Sequence, residues 1–481
     1  MGGIYANSSV TILAIQGNHA DSGLRGFHGI SEPRNLQQVV HYLEDRTKIL
    51  QFPAEGQFHD VECLNPRWST RAWTYQENMC SPRKLIFDGD SLRWECMENV
   101  WREHIDGNVQ LDTPYRGVAA CRSMLQASIP EFSEFQMVLN EYNCREFSYP
   151  EDATDAFSGI SHCISAAVGG ELITGLPSVC FDVFLLWSPQ TRVSRRQPID
   201  STRAGSLPSW SWVGWSGAIS INIGSAAHFL KKSPSKIYRA ANSHILTSLV
   251  EWKRHERPDI PGVPINPGIS RQRALWLKDE LSLTSEWSMH DIWESPELEC
   301  DLKNLNYTPA TFFKNAKHPE YEFRYPIPIA QPESKPSVIN PSFISCCTRR
   351  AYMLSAERIR KFYGKAPVFS LRDEYGRWVG ALEPLVRFAE SADRMNMQED
   401  ELVEVVELAR GCCPDTTASE TGIEELDHPE RRGGTDDGWY HFHWVMWIEW
   451  EEEVAYRKGI GRICSTVWET QSKEHINLML G

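Results

Sequence analysis

Residues 10–15, VTILAI, form a β-branched run ended by Gly17 and predict a buried strand very near the first residue. Only MGGIYANS stands ahead of it as cover. Residues 17–66 read as a long insertion carrying one amphipathic piece, NLQQVVHYLEDRTKIL. The stretch RWSTRAWTYQENMCSPRKLIF then predicts a short helix with Ser69 as N-cap, stopped by Ser81 and Pro82 and followed by a strand. At about 100° per residue, Ala72, Trp73, Tyr75, Met79 and Cys80 share one apolar face. Gln76 falls near the middle of that face and Glu77 on its margin beside Trp73. Next, RKLIFDGDSLRWEC alternates around Asp88 and Gly89, a hairpin pattern with Leu92, Trp94 and Cys96 on one face.

Further along, residues 115–165 read as mostly helical, with a helix starting after Pro150. LPSWSWVGWSGAISI predicts a strand whose Trp210, Trp212 and Trp215 project at near-period-two spacing, as core rather than as a ligand stack. Proline punctuates residues 251–345, which read as a linker or loose wrap. Residues 346–481 carry short alternating segments and predict a mostly β module, with a disordered loop at 413–438 where no core pattern is visible. The chain thus divides at 1–100, 101–250, 251–345 and 346–481.

Composition narrows the classes. The 481 residues are 41% hydrophobic and 23% charged, which suits a globular chain with a normal core. Eighteen Trp suggest many half-buried anchors on sheets. A formal charge of −15 argues against nucleic acid and anionic membrane surfaces as partners. The thirteen Cys form no CxxC pair, and the adjacent Cys346/Cys347 and Cys412/Cys413 have the wrong spacing for a zinc knuckle. His441 and His443 alternate on a strand without nearby Cys, so no metal is expected. His162 and Cys163 are adjacent and point about 100° apart, which does not suit a nucleophile pair. Scattered thiols suit a reducing, cytoplasmic compartment. No basic n-region opens the chain, position 6 is Ala rather than the Ser or Thr of a myristoylation signal, and LITGLPSVCFDVFLLW is too short to span a bilayer.

In this order the segments resemble the fungal HET (heterokaryon incompatibility) domain proteins. IYANSSVTILAIQGNHADSGLRG resembles that family's "IY.nA.ltIvA" strand and its loop. WSTRAWTYQENMCSPRKLIF resembles its "W..RgWTlQE.lLs.R.l.F" signature, here Trp68, Arg71, Trp73, Thr74, Gln76, Glu77, Ser81 and Arg83. LRWEC, with Trp94 and Cys96, resembles the closing hairpin. FSYPEDATDAFSGI, GLP, LPSWSWVGW and VMWIEWEEEVAYRKGIGRI resemble segments that accompany the domain. The family's "LSY.WG" and "D.lCI.Q" blocks are not found, so residues 1–100 are expected to be the C-terminal portion of the domain. The implied fold class is α/β to α+β: a partial TIR-like HET domain, then a helical segment, then a mostly β region.

The resemblance implies a role in non-self recognition and programmed cell death. HET domains are remotely similar to TIR domains, whose NAD-cleaving members carry a Trp-x-x-x-Glu helix. On that likeness Trp73 to Glu77 is the helix, Glu77 the catalytic candidate and NAD the candidate substrate, with no resident cofactor. Trp68, Arg71, Trp73, Gln76, Trp94 and Cys96 support the motif. A carboxylate rimming an apolar face suits stabilisation of an oxocarbenium-like state. The pocket would lie at the carboxyl ends of the strands, incomplete in this chain. The competing reading is structural: Gln76 must hydrogen-bond, because a buried unpaired amide costs about 1–3 kcal/mol, and a carbonyl of the following hairpin is the expected partner. Glu77 would then pair with Arg71 or Arg83. The two readings divide the pair, with Gln76 bracing the helix and Glu77 bordering a site. A non-enzymatic module that binds a protein partner or itself, or an inactive gene fragment, are the alternatives.

Overall fold

The computed structural model describes residues 2–15, 17, 19–35, 39–43, 47–51, 67–97, 99–103, 129, 132–199, 207–221, 229–231, 245–278, 280, 282–291, 311–323, 326, 327, 329, 335–359, 366–385, 401–431 and 438–481. It is mixed α and β with mostly strands, and β-rich towards the C-terminus.

A small four-stranded sheet carries the opening motif. Its order is Thr11–Ala14, Arg83–Asp88, Ser91–Cys96, Val100–Arg102. The first pair is parallel and the other two are antiparallel. A single parallel pair falls short of a TIR-like parallel sheet. The hairpin turns where expected: Asp88 pairs with Ser91, and Gly89 adopts φ 58°, which a residue with a Cβ resists. The opening strand lies at the edge of the sheet with one neighbour, and it is only partly buried. Leu13 and Ile15 face inward, while Ile12 is 58% exposed. Half of its backbone groups point away from its one neighbour. Of the amphipathic piece before the motif, Val39–Tyr42 and Lys48–Gln51 form an antiparallel pair; residues 36–38 and 44–46 lie outside the described residues.

Next come helices Phe132–Asn143 and Ser158–Val168, separated by a tight turn at Pro150–Ala153. Thus the helix starts eight residues later than Pro150 alone suggested. The Trp-rich stretch is not a strand. Trp212–Gly214 is a 3-10 turn between Trp210 and the two-residue strand Trp215–Ser216. A Cβ on Gly214 would stand 2.3 Å from both the Arg195 guanidinium and the Pro208 carbonyl, so the chain folds too tightly there to extend. The core assignment of the indoles does hold. Trp210, Trp212 and Trp215 are buried, and each indole N–H donates to a backbone carbonyl, of Ser342, Gly175 and Ser209 respectively.

The Pro-rich segment is no loose linker where it is described. Trp252, Ile265, Ile269, Phe313, Tyr321 and Phe323 are all buried in the main hydrophobic cluster. That cluster runs from Ala72 and Tyr75 to Leu480, across every expected boundary.

The C-terminal region closes on itself. Leu402–Pro414 pairs with Trp439–Glu451, then come Val454–Cys464, Trp378–Pro384, Phe369–Arg372 and Phe343–Arg358, which pairs back onto Leu402–Pro414. All of these pairings are antiparallel, so the strands form a barrel without free edges around its circuit. One face of the strands packs a second cluster, including Met353, Leu371, Val405, Val445, Trp447 and Trp468. The other face, with Val406, Phe442, Met446 and Ile460, joins the main cluster.

The loop expected to be disordered at 413–438 is ordered as far as residue 431. It holds the helical turns Ala418–Thr421 and Glu424–Asp427, with Ile423 and Leu426 buried. Its anchor is electrostatic: Glu425 accepts two hydrogen bonds from Arg462, at 2.6 and 3.0 Å, with both side chains buried. Sparse apolar residues hid this attachment. Residues 432–437 lie outside the described residues.

A second buried arginine fastens the barrel to the helical region. Arg457 donates to the carbonyls of Leu185, at 2.7 Å, and Trp187, at the end of helix Phe181–Leu185. On strand Leu402–Pro414, Glu407 accepts from Arg349 at 2.6 Å and Trp468 at 2.8 Å and faces His443 at 2.5 Å. Burial pushes this carboxyl up, but His443 and Arg349 outweigh it and hold it at about 2. A depressed folded pKa stabilises above the unfolded value of about 4.3, and that contribution disappears as pH falls towards 2. Glu407→Gln should therefore flatten the loss of stability between about pH 5 and 2 in urea unfolding curves. An unchanged acid limb would show that Glu407 does not carry it.

Candidate functional site

The motif helix is Ala72–Cys80, shorter than the stretch that encodes it. The break is at Arg71, which is extended and separates a first turn, Arg67–Thr70, from the helix proper. Ser69 therefore lies inside the first turn and is not the N-cap. A neighbouring loop clamps the break. The Ala72 N–H donates to the Glu146 carbonyl at 3.0 Å, and the Glu146 N–H donates to the Thr70 carbonyl at 2.6 Å. Arg145 donates to the Arg71 carbonyl at 3.0 Å and to Thr74 Oγ1 at 3.2 Å. At the other end the Ser81 hydroxyl donates to the Glu77 carbonyl at 2.6 Å and lies at hydrogen-bond distance, 2.8 Å, from Thr11 Oγ1, tying the helix stop to the edge strand.

Ala72, Thr74, Tyr75, Gln76 and Asn78 are buried, whereas Trp73, Met79 and Cys80 are only partly so. The simple apolar stripe fails because the helix packs on two sides. Tyr75 enters the main core, with the Val138 carbonyl at 3.2 Å and the Glu141 carboxylate at 3.1 Å both within reach of its single hydroxyl proton. Asn78 turns to the small sheet.

Gln76 is completely buried. Its Oε1 accepts the Gly159 N–H at 2.6 Å. Gly159 stands in the first turn of helix Ser158–Val168, where an N–H has no partner within the helix. The bracing role holds, but the partner is this helix rather than the hairpin. The approach needs glycine: a Cβ on Gly159 would lie 2.7 Å from Gln76 Oε1, 2.9 Å from Gly2 Cα and 3.1 Å from Cys80 Sγ. Three helices, Gly2–Ala6, the motif helix and Ser158–Val168, meet at this point. Burial, followed by the nearby Cys163, pushes the Cys80 thiol up to about 12, which keeps it protonated.

Glu77 is half-buried and lies near the Tyr5 hydroxyl. Burial first, and then Glu77, raise the Tyr5 pKa. No ion pair joins Glu77 to Arg71 or Arg83 among the described residues. Tyr5 precedes the edge strand, and Ser81, one turn beyond Glu77, bonds that strand's first residue. Glu77 therefore sits beside the amino ends of the two parallel strands, whereas ligand crevices of open α/β sheets form beyond the carboxyl ends.

The remaining motif residues are dispersed. Trp68 packs on Leu13, Ile15 and Ile86 in a small separate cluster. Trp73 lies against the main core, while the Arg71 side chain is exposed. Trp94 pairs across strands with Trp101, and the Cys96 N–H donates to the Asn99 carbonyl at 2.9 Å. Both project from the hairpin face opposite the motif helix. Gln76, Trp73 and Glu77 are gathered on one helix, but Trp68, Trp94 and Cys96 are not gathered around Glu77. Among the described residues no cluster of three or more His, Cys, Asp or Glu could hold a metal.

An ion pair went unnoticed at the sequence level. Lys84 and Glu95 are both almost fully buried, with Nζ 2.7 Å from the carboxylate. Lys84 also donates to Asn78, at 3.2 Å to its carbonyl and 3.1 Å to its side chain. The signal was available: once the turn is fixed at Gly89, the register sets Lys84 directly opposite Glu95.

With the geometry established, comparison with known proteins adds one match. Residues 1–77 match the family described as Heterokaryon incompatibility protein (HET). No curated protein and no solved structure matches the chain.

Lys84→Met removes the buried cation that faces Glu95 and should cost about 3–5 kcal/mol in chemical denaturation. Replacing both partners, Lys84→Met with Glu95→Leu, should recover most of that loss. A single substitution costing no more than the double would refute the coupling.

Proposed function

We propose that this chain, which carries a heterokaryon incompatibility segment at residues 1–77, acts in fungal non-self recognition and programmed cell death by binding a protein partner rather than by cleaving NAD. The observation that carries this reading is the place of Glu77, near Tyr5 and one turn before the Ser81 contact with Thr11, at the amino ends of the sheet. A carboxylate held there faces a tyrosine instead of a sugar. The burial of Gln76 and the dispersal of Trp68, Trp94 and Cys96 support the same reading, since these residues serve packing. The net charge of −15 favours protein over nucleic acid or an anionic membrane as the partner, self-association included. No described helix is long and apolar enough to cross a membrane.

Two measurements test the reading. Purified chain incubated with NAD should release nicotinamide no faster than buffer, and Glu77→Ala should change nothing. Induced expression in a filamentous fungus should arrest growth, with Glu77→Ala equally effective. Nicotinamide release that depends on Glu77 would replace this reading with NAD cleavage. Normal growth under wild-type expression would remove the cell-death output.

A further inference from the structure

Three buried polar side chains meet where the motif helix packs on the small sheet. Lys84 stands on strand Arg83–Asp88, Glu95 opposite it on Ser91–Cys96, and Asn78 on the helix. Their exposures are 1%, 1% and 5%. Lys84 Nζ lies 2.7 Å from Glu95 Oε1 and 3.1 Å from Asn78 Oδ1, and it also donates to the Asn78 backbone carbonyl at 3.2 Å. The amide brings to this cluster something that an ion pair lacks, a carbonyl carbon beside an amine. Asn78 Cγ is bonded to the oxygen that Nζ already touches, so the two reacting groups are held together by the fold.

The three residue types supply a nucleophile, an electrophile and a proton carrier. A lysine attacks a carbonyl carbon only as the free amine. The Glu95 carboxylate is placed to take a proton from Nζ along the 2.7 Å contact. In a site closed to water, that transfer replaces two buried charges with two neutral groups, and no water competes for the carbonyl.

We propose that Lys84 and Asn78 join in an intramolecular isopeptide bond, with Glu95 as the proton carrier. The free amine attacks Asn78 Cγ, the Nζ–Cγ bond forms, and the Cγ–Nδ2 bond breaks to release ammonia. Of the three protons on the Nζ ammonium, one stays on the new amide. One passes through Glu95 to Nδ2, and one leaves with the ammonia as ammonium. The step consumes no oxidant and no cofactor. Its product is a covalent tie between the motif helix and the small sheet. The partners are only six positions apart, so the ring restrains the unfolded chain less than a long loop would, and its effect is to fix the helix locally. This site is separate from the Glu77 carboxylate and does not depend on the function proposed above.

Tryptic digestion of the purified full chain, read by mass spectrometry, tests the bond directly. In an unlinked chain, residues 72–83 and 84–93 are separate tryptic peptides. In the wild type they should appear as one linked species, lighter than their sum by one ammonia, with fragmentation placing the link between Asn78 and Lys84. Glu95→Gln keeps nucleophile and electrophile but removes the proton carrier, and it should lose the linked species almost completely. Lys84→Arg should lose it as well. Circular dichroism of each variant separates lost chemistry from lost fold. The wild-type result decides even where a variant does not fold: two separate peptides at full mass would overturn the proposal. Loss of ammonia without a link would overturn it too, because that marks cyclisation of Asn78 on its own backbone. A linked species that persists in folded Glu95→Gln would overturn the role of Glu95.

Discussion

The hydrogen bond between the Gln76 side chain and the Gly159 N–H fixes where the motif helix can sit, and the small sheet hangs on that helix. A helix begins with N–H groups that have no partner of their own. Here one of them is satisfied by a fully buried side chain 83 residues earlier in the chain. Because Gly159 and Gly2 lack side chains, the three helices approach closely enough for that bond to form. On one side the helix places Tyr75 in the main core; on the other, Asn78 receives Lys84 from the sheet. The helix is a wall shared by two cores.

Buried polar contacts of this kind recur wherever parts distant in sequence meet. Arg457 reaches from the barrel to the carbonyls of Leu185 and Trp187, and Arg462 holds the Glu425 strap. Arg196 donates to Asn143 and to the Val213 and Trp215 carbonyls in the Trp-rich turn. Each satisfies groups that would otherwise be desolvated without partners, at a cost of about 1–3 kcal/mol apiece. Apolar burial supplies the driving force, and these contacts set which surfaces face one another.

Local pattern carried the elements that local physics decides. The hairpin around Gly89, the stop at Ser81 and Pro82, and the alternating strands after residue 346 all follow from turn chemistry and periodicity. Where expectations failed, tertiary contact overrode the local pattern. The Trp-rich stretch turns at Gly214 instead of extending, because its indoles each seek a carbonyl. The strap before residue 431 is ordered by Arg462, a residue 37 positions past Glu425. The site was legible only as a set of residue types. That Glu77 lies by the amino ends follows from Tyr5 and Ser81, whose partners no spacing rule discloses.

If the Gln76 side chain fixes the motif helix, the amide that it holds should report so. Hydrogen exchange at the Gly159 N–H is the direct measurement, since a first-turn helix amide exchanges fast unless a partner holds it. Strong protection in the wild type, lost in Gln76→Ala while amides deeper in helix Ser158–Val168 stay protected, is the expected result. Fast exchange at Gly159 in the wild type, or protection that survives Gln76→Ala, would contradict the account.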